Sequence, residues 1–325
     1  YKNCPDEEVK NILLAGSPKY PFSDQVADRT HSCMLKAMGQ AVRRKEAVFG
    51  VKGPSTLVKL QGFDLVWGLP PYYMHYVLEG VTKQVTEMWL SATNSCYIGR
   101  HLKLIDSRLR LIKPPIIFSR SGRPLSDCAF WKAAEWCCWL LFYSLPCVAD
   151  ILPLVYHTHF TLLVKDAFVL LNDVVLEAEI CSAEKFLSSF VQQTTKLCGQ
   201  NAMTFNIHQL LHLAKATRMF GPLWSTSTFP FEDGIGRALQ LVSAAMYVPV
   251  QIAERCIMHQ ACRTVSMQIE LSPNMLSAKK DLESNCRKFS QRCALGLAQP
   301  CVGMSEIVKG LFFSNLVTSL KCQSI

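Results

Sequence analysis

The sequence predicts a mainly α-helical protein. Half of its 325 residues are hydrophobic, which is enough to bury a large core. From residue 74 onward, apolar residues recur at helical spacing through most of the chain, and glycines or prolines separate the segments. Only one short run, 63–69, has the composition of a strand. No internal repeat is visible.

The first quarter of the chain is predicted to hold one long helix and one short strand. Residues 1–22 contain one glycine and three prolines and are expected to be irregular. Ser23 is a candidate N-cap for a helix over 24–46. A short helix follows a glycine-containing loop, and two prolines end the strand at 63–69.

The rest of the chain is predicted to be helical, with one extended linker over 113–127. Asp127 is a candidate cap for the apolar helix that follows the linker, and Gly199 and Gly221 suit helix C-termini. The helical segments lie at 74–89, 99–112, 128–145, 159–175, 182–199, 206–221, in the second half of 222–246, and at 248–265. Beyond 265 the periodicity weakens, which indicates a linker and a disordered tail.

The cysteine usage indicates a reducing compartment. The 15 cysteines are odd in number, scattered, and often placed within apolar helical segments. Disulfide frameworks belong to short secreted chains, so these are expected to be free and mostly buried thiols. No CxxC pair is present, which disfavours a zinc ribbon. We therefore expect a nuclear or cytoplasmic, intracellular protein.

A membrane span is not expected. The most apolar stretch, 137–164, contains Pro146, Asp150 and Pro153. A span needs about 20 apolar residues with few charges, and a carboxylate near its middle would be costly. The stretch is better explained as two buried helices with a break between the prolines.

Three sets of polar residues are candidates for chemistry. His208 and His212 are four apart and share a helix face; two such histidines can bind zinc, but Gln209 stands where a metalloprotease helix has glutamate. A packed histidine pair is therefore favoured.

The second set is acidic. Glu232 and Asp233 suit either a helix cap or a metal-binding carboxylate site.

The third set is basic. The net charge is +9, and one denser stretch of arginine and lysine surrounds two prolines. Arginine suits phosphate recognition, so this stretch is a candidate DNA contact, with a solvated surface plus linker as an equal alternative. Its members are Arg108, Arg110, Lys113, Arg120 and Arg123.

Four segments in this order resemble the catalytic domain of CACTA (En/Spm-type) DNA transposases, in particular the animal branch. They are VFGVKGPSTLVKLQGFDLVWGLPPYYMHYVLEGVTKQVTEMWL, LIKPPIIFSRSGRPL, WKAAEWCCWLLFYSLP and NIHQLLHLAKATRMFGPLWSTSTFPFEDGIG. The resemblance covers roughly residues 25–260. Within the last segment, the residues that carry the family motif are His208, His212, Gly221, Pro222, Trp224 and Phe231.

This resemblance implies an RNase H-like (DDE transposase) domain, of which this chain would hold the helical insertion and C-terminal half with a remnant of the α/β core. It also implies three boundaries: an irregular fragment at 1–22, the partial transposase-like domain at 23–265, and a linker and tail at 266–325. Such enzymes hold Mg²⁺ or Mn²⁺ with two aspartates and a glutamate for phosphoryl transfer.

The resemblance places the metal ligands, and this sequence departs from the pattern. In the family the second aspartate opens a DxxH motif at the end of a core strand; here Tyr72 fills that position, three residues before His75. A phenol with a pKa near ~10 is a poor Mg²⁺ ligand. The third carboxylate matches Glu232, and we expect the first aspartate to lie upstream of Tyr1. A histidine-glycine pair that relatives tend to carry is absent from the segment near 242–248.

These departures predict a truncated, catalytically inactive transposase-derived protein that binds neither Mg²⁺ nor Mn²⁺. Residual DNA contact and homo-oligomer formation are compatible with the sequence. Two alternatives stay open. One is a domesticated helical domain kept for DNA or protein binding. The other is an active cut-and-paste transposase whose upstream part is missing from this chain.

Overall fold

The computed structural model describes residues 12–14, 17–23, 28–112, 123–268 and 272–277. It is mainly helical, as the sequence predicts. Contacts divide it into two units, one ending at Thr226 and the second beginning at Ser227. This boundary lies inside the segment 23–265, which the resemblance treats as one domain. The α-helices of the two units are α1 (His31–Arg44), α2 (Lys83–Leu90), α3 (Leu102–Leu111), α4 (Ala133–Cys138), α5 (Ser144–Val148), α6 (Leu154–Leu170), α7 (Glu177–Cys198), α8 (Phe205–Gln209), α9 (Leu213–Phe220), α10 (Phe229–Gln240) and α11 (Val248–Gln268).

The strand predicted at 63–69 is wrong. The segment forms turns because the Asp64 carboxylate accepts hydrogen bonds from the backbone N–H groups of Val66 and Trp67, both at 2.7 Å. An aspartate that bonds the backbone two and three residues ahead stabilises a turn instead of a ladder. Leu65 is buried against Met38 of α1 in a small hydrophobic cluster, so the apolar pattern of the segment comes from packing.

The strands of the described residues lie elsewhere. β1 (Ile12–Leu14) and β2 (Ser17–Lys19) form an antiparallel pair, with Ile12 opposite Lys19. The sequence indicates irregular structure over 1–22, but the described residues 12–14 and 17–19 are extended and paired. An RNase H-like core requires a larger sheet than this pair of three-residue strands. That core therefore remains a prediction.

α1 begins later than predicted. Its N-cap is Thr30, whose side chain accepts a hydrogen bond from the Cys33 N–H at 3.2 Å, instead of Ser23. Residues 24–27, the predicted first turn, lie outside the described residues. The helix ends at Arg44, since Lys45 adopts a left-handed conformation with φ 57°. Two basic residues in its last turn, Arg43 and Arg44, suit the negative end of the helix dipole.

Two helical segments widen into π-helix. Met74–Thr82 is a nine-residue π-helix that continues into α2, and Trp139–Tyr143 is a π-helical turn between α4 and α5. The second segment was predicted as one helix over 128–145 capped by Asp127. Asp127 lies instead in a 3₁₀ helix (Leu125–Phe130), and α4 starts where Glu135 accepts a hydrogen bond from the Lys132 N–H at 2.8 Å.

The core of the first unit is built from aromatic side chains between these helices. Trp139 is fully buried, and its indole N–H donates to the hydroxyl of Thr86 at 3.0 Å. Trp89 meets Phe160 of α6 edge to face, with ring centroids 4.7 Å apart. α6 and α7 pack against each other, and the predicted glycine stops are confirmed, with Gly199 at φ 76° and Gly221 at φ 87°.

The second unit contains α10 and α11. The side chain of Gln251 holds the connection between these two helices: its Oε1 accepts from the Ser243 N–H at 2.9 Å, and its Nε2 donates to the carbonyl oxygens of Ala244 and Met246. None of the described residues after Leu223 is buried. The described residues of this unit therefore form helices that enclose no buried core.

Candidate functional site

Tyr72 and His75 lie at the entrance to the π-helix, where the transposase resemblance places a metal site. The Tyr72 ring meets the His75 ring edge to face at 5.1 Å between centroids, and it lies 5.2 Å from the Tyr76 ring. The Tyr72 carbonyl accepts the Tyr76 N–H at 3.3 Å. Tyr72 is therefore part of an aromatic cluster, where the resemblance predicts an acidic metal ligand.

A cavity of about 460 Å³ opens beside His75. Glu79, one turn along, lies 3.7 Å from the His75 Nε2, and Lys83 lies 3.9 Å from Glu87. Both separations are at the outer limit of an ion pair, so the pairs are loose. The cavity is lined by His75, Tyr76, Glu79, Lys83, Trp131, Trp136 and Asn206.

Trp131, which lines this cavity, carries a buried polar atom. The side chain is 7% exposed, and its indole Nε1 has no hydrogen-bond partner among the described residues. It meets Trp136 edge to face at 4.8 Å. Sequence reasoning missed the residues that line the cavity, except His75. Glu79 could have been found from its i,i+4 spacing to His75, whereas the tryptophans and Asn206 come from distant parts of the chain.

The residues at position 72 and around it do not fit the Mg²⁺ site of the family. Mg²⁺ prefers carboxylate oxygens in octahedral geometry, and position 72 offers a phenol. Throughout the described ranges, no group of three or more histidine, cysteine, aspartate or glutamate side chains is arranged to hold a metal ion.

Glu232 belongs to the second unit, in the first turn of α10. Its N–H donates to the Thr228 carbonyl at 3.0 Å, and the residue is exposed, as is neighbouring Phe231 at 73%. An acidic residue in a first turn is stabilised by the helix dipole, which favours the capping interpretation. Asp233 lies 3.4 Å from Arg237, its partner one turn ahead.

The candidate DNA-binding residues have different environments. Arg108 forms a two-pronged ion pair with Asp150 and also donates to the Cys147 carbonyl at 3.1 Å. Arg123 bonds both carboxylate oxygens of the buried Glu135. Arg110 is exposed in the last turn of α3. Lys113 and Arg120 lie outside the described residues.

His208 and His212 come together as their spacing predicts. Their Nε2 atoms are 3.3 Å apart, although a 3₁₀ turn, Leu210–His212, interrupts the helix between them. His208 is buried and stacks on Tyr20 with centroids 5.6 Å apart. Burial, with His212 as a second cause, lowers the pKa of His208 to about 3, and burial also lowers the pKa of His212.

Asp28 is the acidic neighbour of this pair. Its Oδ1 lies 4.0 Å from the Nδ1 of His212, and its other oxygen pairs with Lys215. The Lys215 ammonium also lies 4.7 Å from the ring centre of Trp67. The sequence gives little signal for Asp28, because it lies 184 residues before His212 and outside any motif.

The remaining family-motif residues form the turn after α9. Gly221 adopts φ 87°, which only glycine adopts without strain. The Pro222 carbonyl accepts the Ser225 N–H at 2.8 Å, and Trp224 is half-buried. This turn ends the first unit just before its boundary at Thr226.

Comparison with known proteins gives no match: no family model, no curated protein and no solved structure is significantly similar to this chain. Within the described residues, no helix is long and apolar enough to cross a membrane.

Proposed function

We propose that this chain is a transposable-element-derived relative of CACTA transposases that does not cleave DNA. The observation that carries the proposal is Tyr72 at the position of the second family aspartate. Its ring is packed against His75 and Tyr76, so the motif keeps its histidine and has aromatic contacts in place of an acidic ligand. The ordered series of four family-like segments supports the origin.

The test is a strand-cleavage assay with Mg²⁺ or Mn²⁺ on duplex DNA carrying transposon ends. We expect no cleavage by the wild-type protein, because a neutral phenol does not hold the divalent ions that activate the attacking water. Metal-dependent cleavage by wild type that is lost in a Glu232→Ala variant would overturn the proposal. The matched control for that variant is Asp233→Ala, which changes the neighbouring carboxylate.

A second candidate is a DNA-binding module without catalysis, which the exposed Arg110 favours. A protein that neutralises phosphates loses affinity steeply as salt rises. Arg110→Ala is expected to weaken duplex binding about two- to fivefold and to reduce the salt slope by about one, as for a single phosphate contact. Thermal stability should be unchanged. Affinity that is independent of salt and of Arg110 would exclude this contact.

Arg108 and Arg123 are the comparison for Arg110, because their side chains have structural partners. Each of them pairs with a carboxylate of the fold. Asp150, the partner of Arg108, is exposed, whereas Glu135, the partner of Arg123, has a side chain only 3% exposed. Arg123→Ala would remove the ion-pair partner of a buried carboxylate, which is strongly unfavourable. We expect this variant to lower the melting temperature, unlike Arg110→Ala.

A further inference from the structure

The two histidines of α8 and the following 3₁₀ turn have a geometry that a hydrogen bond explains poorly. Their Nε2 atoms are 3.3 Å apart, longer than the ~2.9 Å typical of N–H hydrogen bonds. A linear bond at this separation would place the two ring centres about 5.6 Å apart. The observed centroids are 5.1 Å apart, with the rings at 76°. The two rings are therefore tilted away from the line that joins their Nε2 atoms.

That arrangement matches two imidazoles on one tetrahedral metal ion. Zinc–nitrogen bonds of about 2.05 Å to two atoms 3.3 Å apart subtend about 107°, close to a tetrahedral angle. With the bonds directed along the ring axes, the ring centres would be about 5.1 Å apart, which is the separation observed. Both distances agree with one metal position.

The surroundings supply two further features of a metal site. Asp28 Oδ1 lies 4.0 Å from the Nδ1 of His212, on the side of the ring away from His208. This is too long for a hydrogen bond, but it places a carboxylate beside the ring nitrogen through which ligating imidazoles are oriented in metal sites. A cleft of about 250 Å³ is lined in part by Asp28, Gln209 and His212. This cleft brings solvent to the His212 side of the pair, whereas His208 is buried.

We propose that His208 and His212 form a two-histidine binding site for Zn²⁺ or a similar transition-metal ion, with Asp28 beside the far nitrogen of His212 and water completing the coordination. Arg29 and Lys215 are the positive groups nearby, and Lys215 is neutralised by Asp28. The site is separate from the carboxylate site of the family and does not depend on the proposed function.

The experiment is a titration of the metal-free, full-length chain with Co²⁺, followed by displacement with Zn²⁺. Co²⁺ absorption separates the proposed site from the cysteines, because a histidine site lacks the intense near-ultraviolet band of cobalt–thiolate bonds. We expect one bound Co²⁺ per chain with visible bands of tetrahedral type, which Zn²⁺ removes. Zn²⁺ should also raise the melting temperature, because it binds the folded state.

Two variants and a control decide the assignment. His212→Gln, at a half-buried position, should reduce affinity at least about 30-fold, while Asp28→Asn should reduce it about tenfold through the orientation of His212. Asp28→Asn keeps both ligands, so it remains informative if His212→Gln folds poorly. His259→Gln alters an exposed histidine of α11 and should bind as wild type does. Absence of Co²⁺ binding to wild type, or equal affinity in wild type and both site variants, would overturn the proposal.

Discussion

Tyr72 shows how one side chain changes what a conserved-looking motif can bind. The resemblance requires a carboxylate at this position, which would need water or a cation to balance its charge. The phenol instead contacts the rings of His75 and Tyr76. The resemblance proposes a substitution at this position, and the structure shows that the neighbouring aromatic side chains form a cluster around Tyr72.

Asp166 is a second residue whose environment opposes its charge. It is 1% exposed in α6, and its Oδ2 has no hydrogen-bond partner in the described part of the chain. Burial raises the pKa of Asp166 to about 8, opposed in part by Lys165. Nothing in the sequence pattern marked this residue, because an aspartate in a helix is usually on the solvated face.

This burial predicts that the Asp166→Asn variant is more stable than wild type, increasingly so at higher pH. With a raised folded pKa, the folded state binds a proton that the unfolded state has released, so wild-type stability falls as pH rises from about 4 to about 8. Asparagine removes that dependence. The expected gain is on the order of a few kcal/mol at about pH 8 and smaller at about pH 5.

Denaturant unfolding at these two pH values measures the effect. Asp173→Asn, at an exposed position just beyond α6, is the control and should show no pH-dependent gain. A variant that is less stable than wild type at about pH 8 would show that the Asp166 carboxylate has a partner that favours its charge.

The helices illustrate what periodicity can and cannot specify. The existence of most helices was predicted from apolar spacing and from glycines such as Gly199 and Gly221. The spacing did not distinguish an α-helix from the π-helix at Met74–Thr82, because both bury a continuous apolar face over this length. The strand at 63–69 was misassigned because its apolar residues pack against α1 while Asp64 closes a turn.

Gly80 holds the π-helix close to α8. A β-carbon at this position would lie 2.7 Å from the Asn206 Nδ2 and 2.7 Å from the His75 carbonyl oxygen, both too close for a carbon atom. Gly80→Ala is therefore expected to destabilise the protein by about 1–3 kcal/mol. It should also displace Asn206 from the cavity beside His75.

The matched control is Gly234→Ala in α10, where an added β-carbon would meet nothing within 4 Å. Alanine there should stabilise the helix by up to about 1 kcal/mol. Thermal and denaturant unfolding compare the two variants. If Gly80→Ala lost no stability, or if it gained stability while Gly234→Ala lost it, α8 would not be held against the π-helix at this position.

At the scale of the whole molecule, the buried side chains belong to the first unit. Leu223 is the last buried position among the described residues, and the unit ends at Thr226. The sequence predicted the helical class and the position of many helices, but it placed no boundary here. The segment from the family-like turn into α10 is continuous in the resemblance, which hid the division between units.

This division predicts that a chain ending at Thr226 folds without the second unit. Its melting temperature should lie within a few degrees of the full-length value, because the aromatic core around Trp89 and Trp139 is retained. A control chain ending at Gly199 removes α8 and α9 and should not unfold cooperatively. Loss of cooperative unfolding in the longer fragment would show that the second unit is required for the core.

The central claim is that Tyr72 stands where a metal-binding aspartate stood. Calorimetric titration with Mn²⁺ of the wild-type chain and of its Tyr72→Asp variant tests it most directly, and Mn²⁺ suits the purpose because imidazole sites bind it weakly. We predict that wild type shows no carboxylate-dependent binding and that Tyr72→Asp gains Mn²⁺ affinity. Binding of Mn²⁺ by wild type that disappears in Glu232→Ala would contradict the claim and indicate that a working metal site survives.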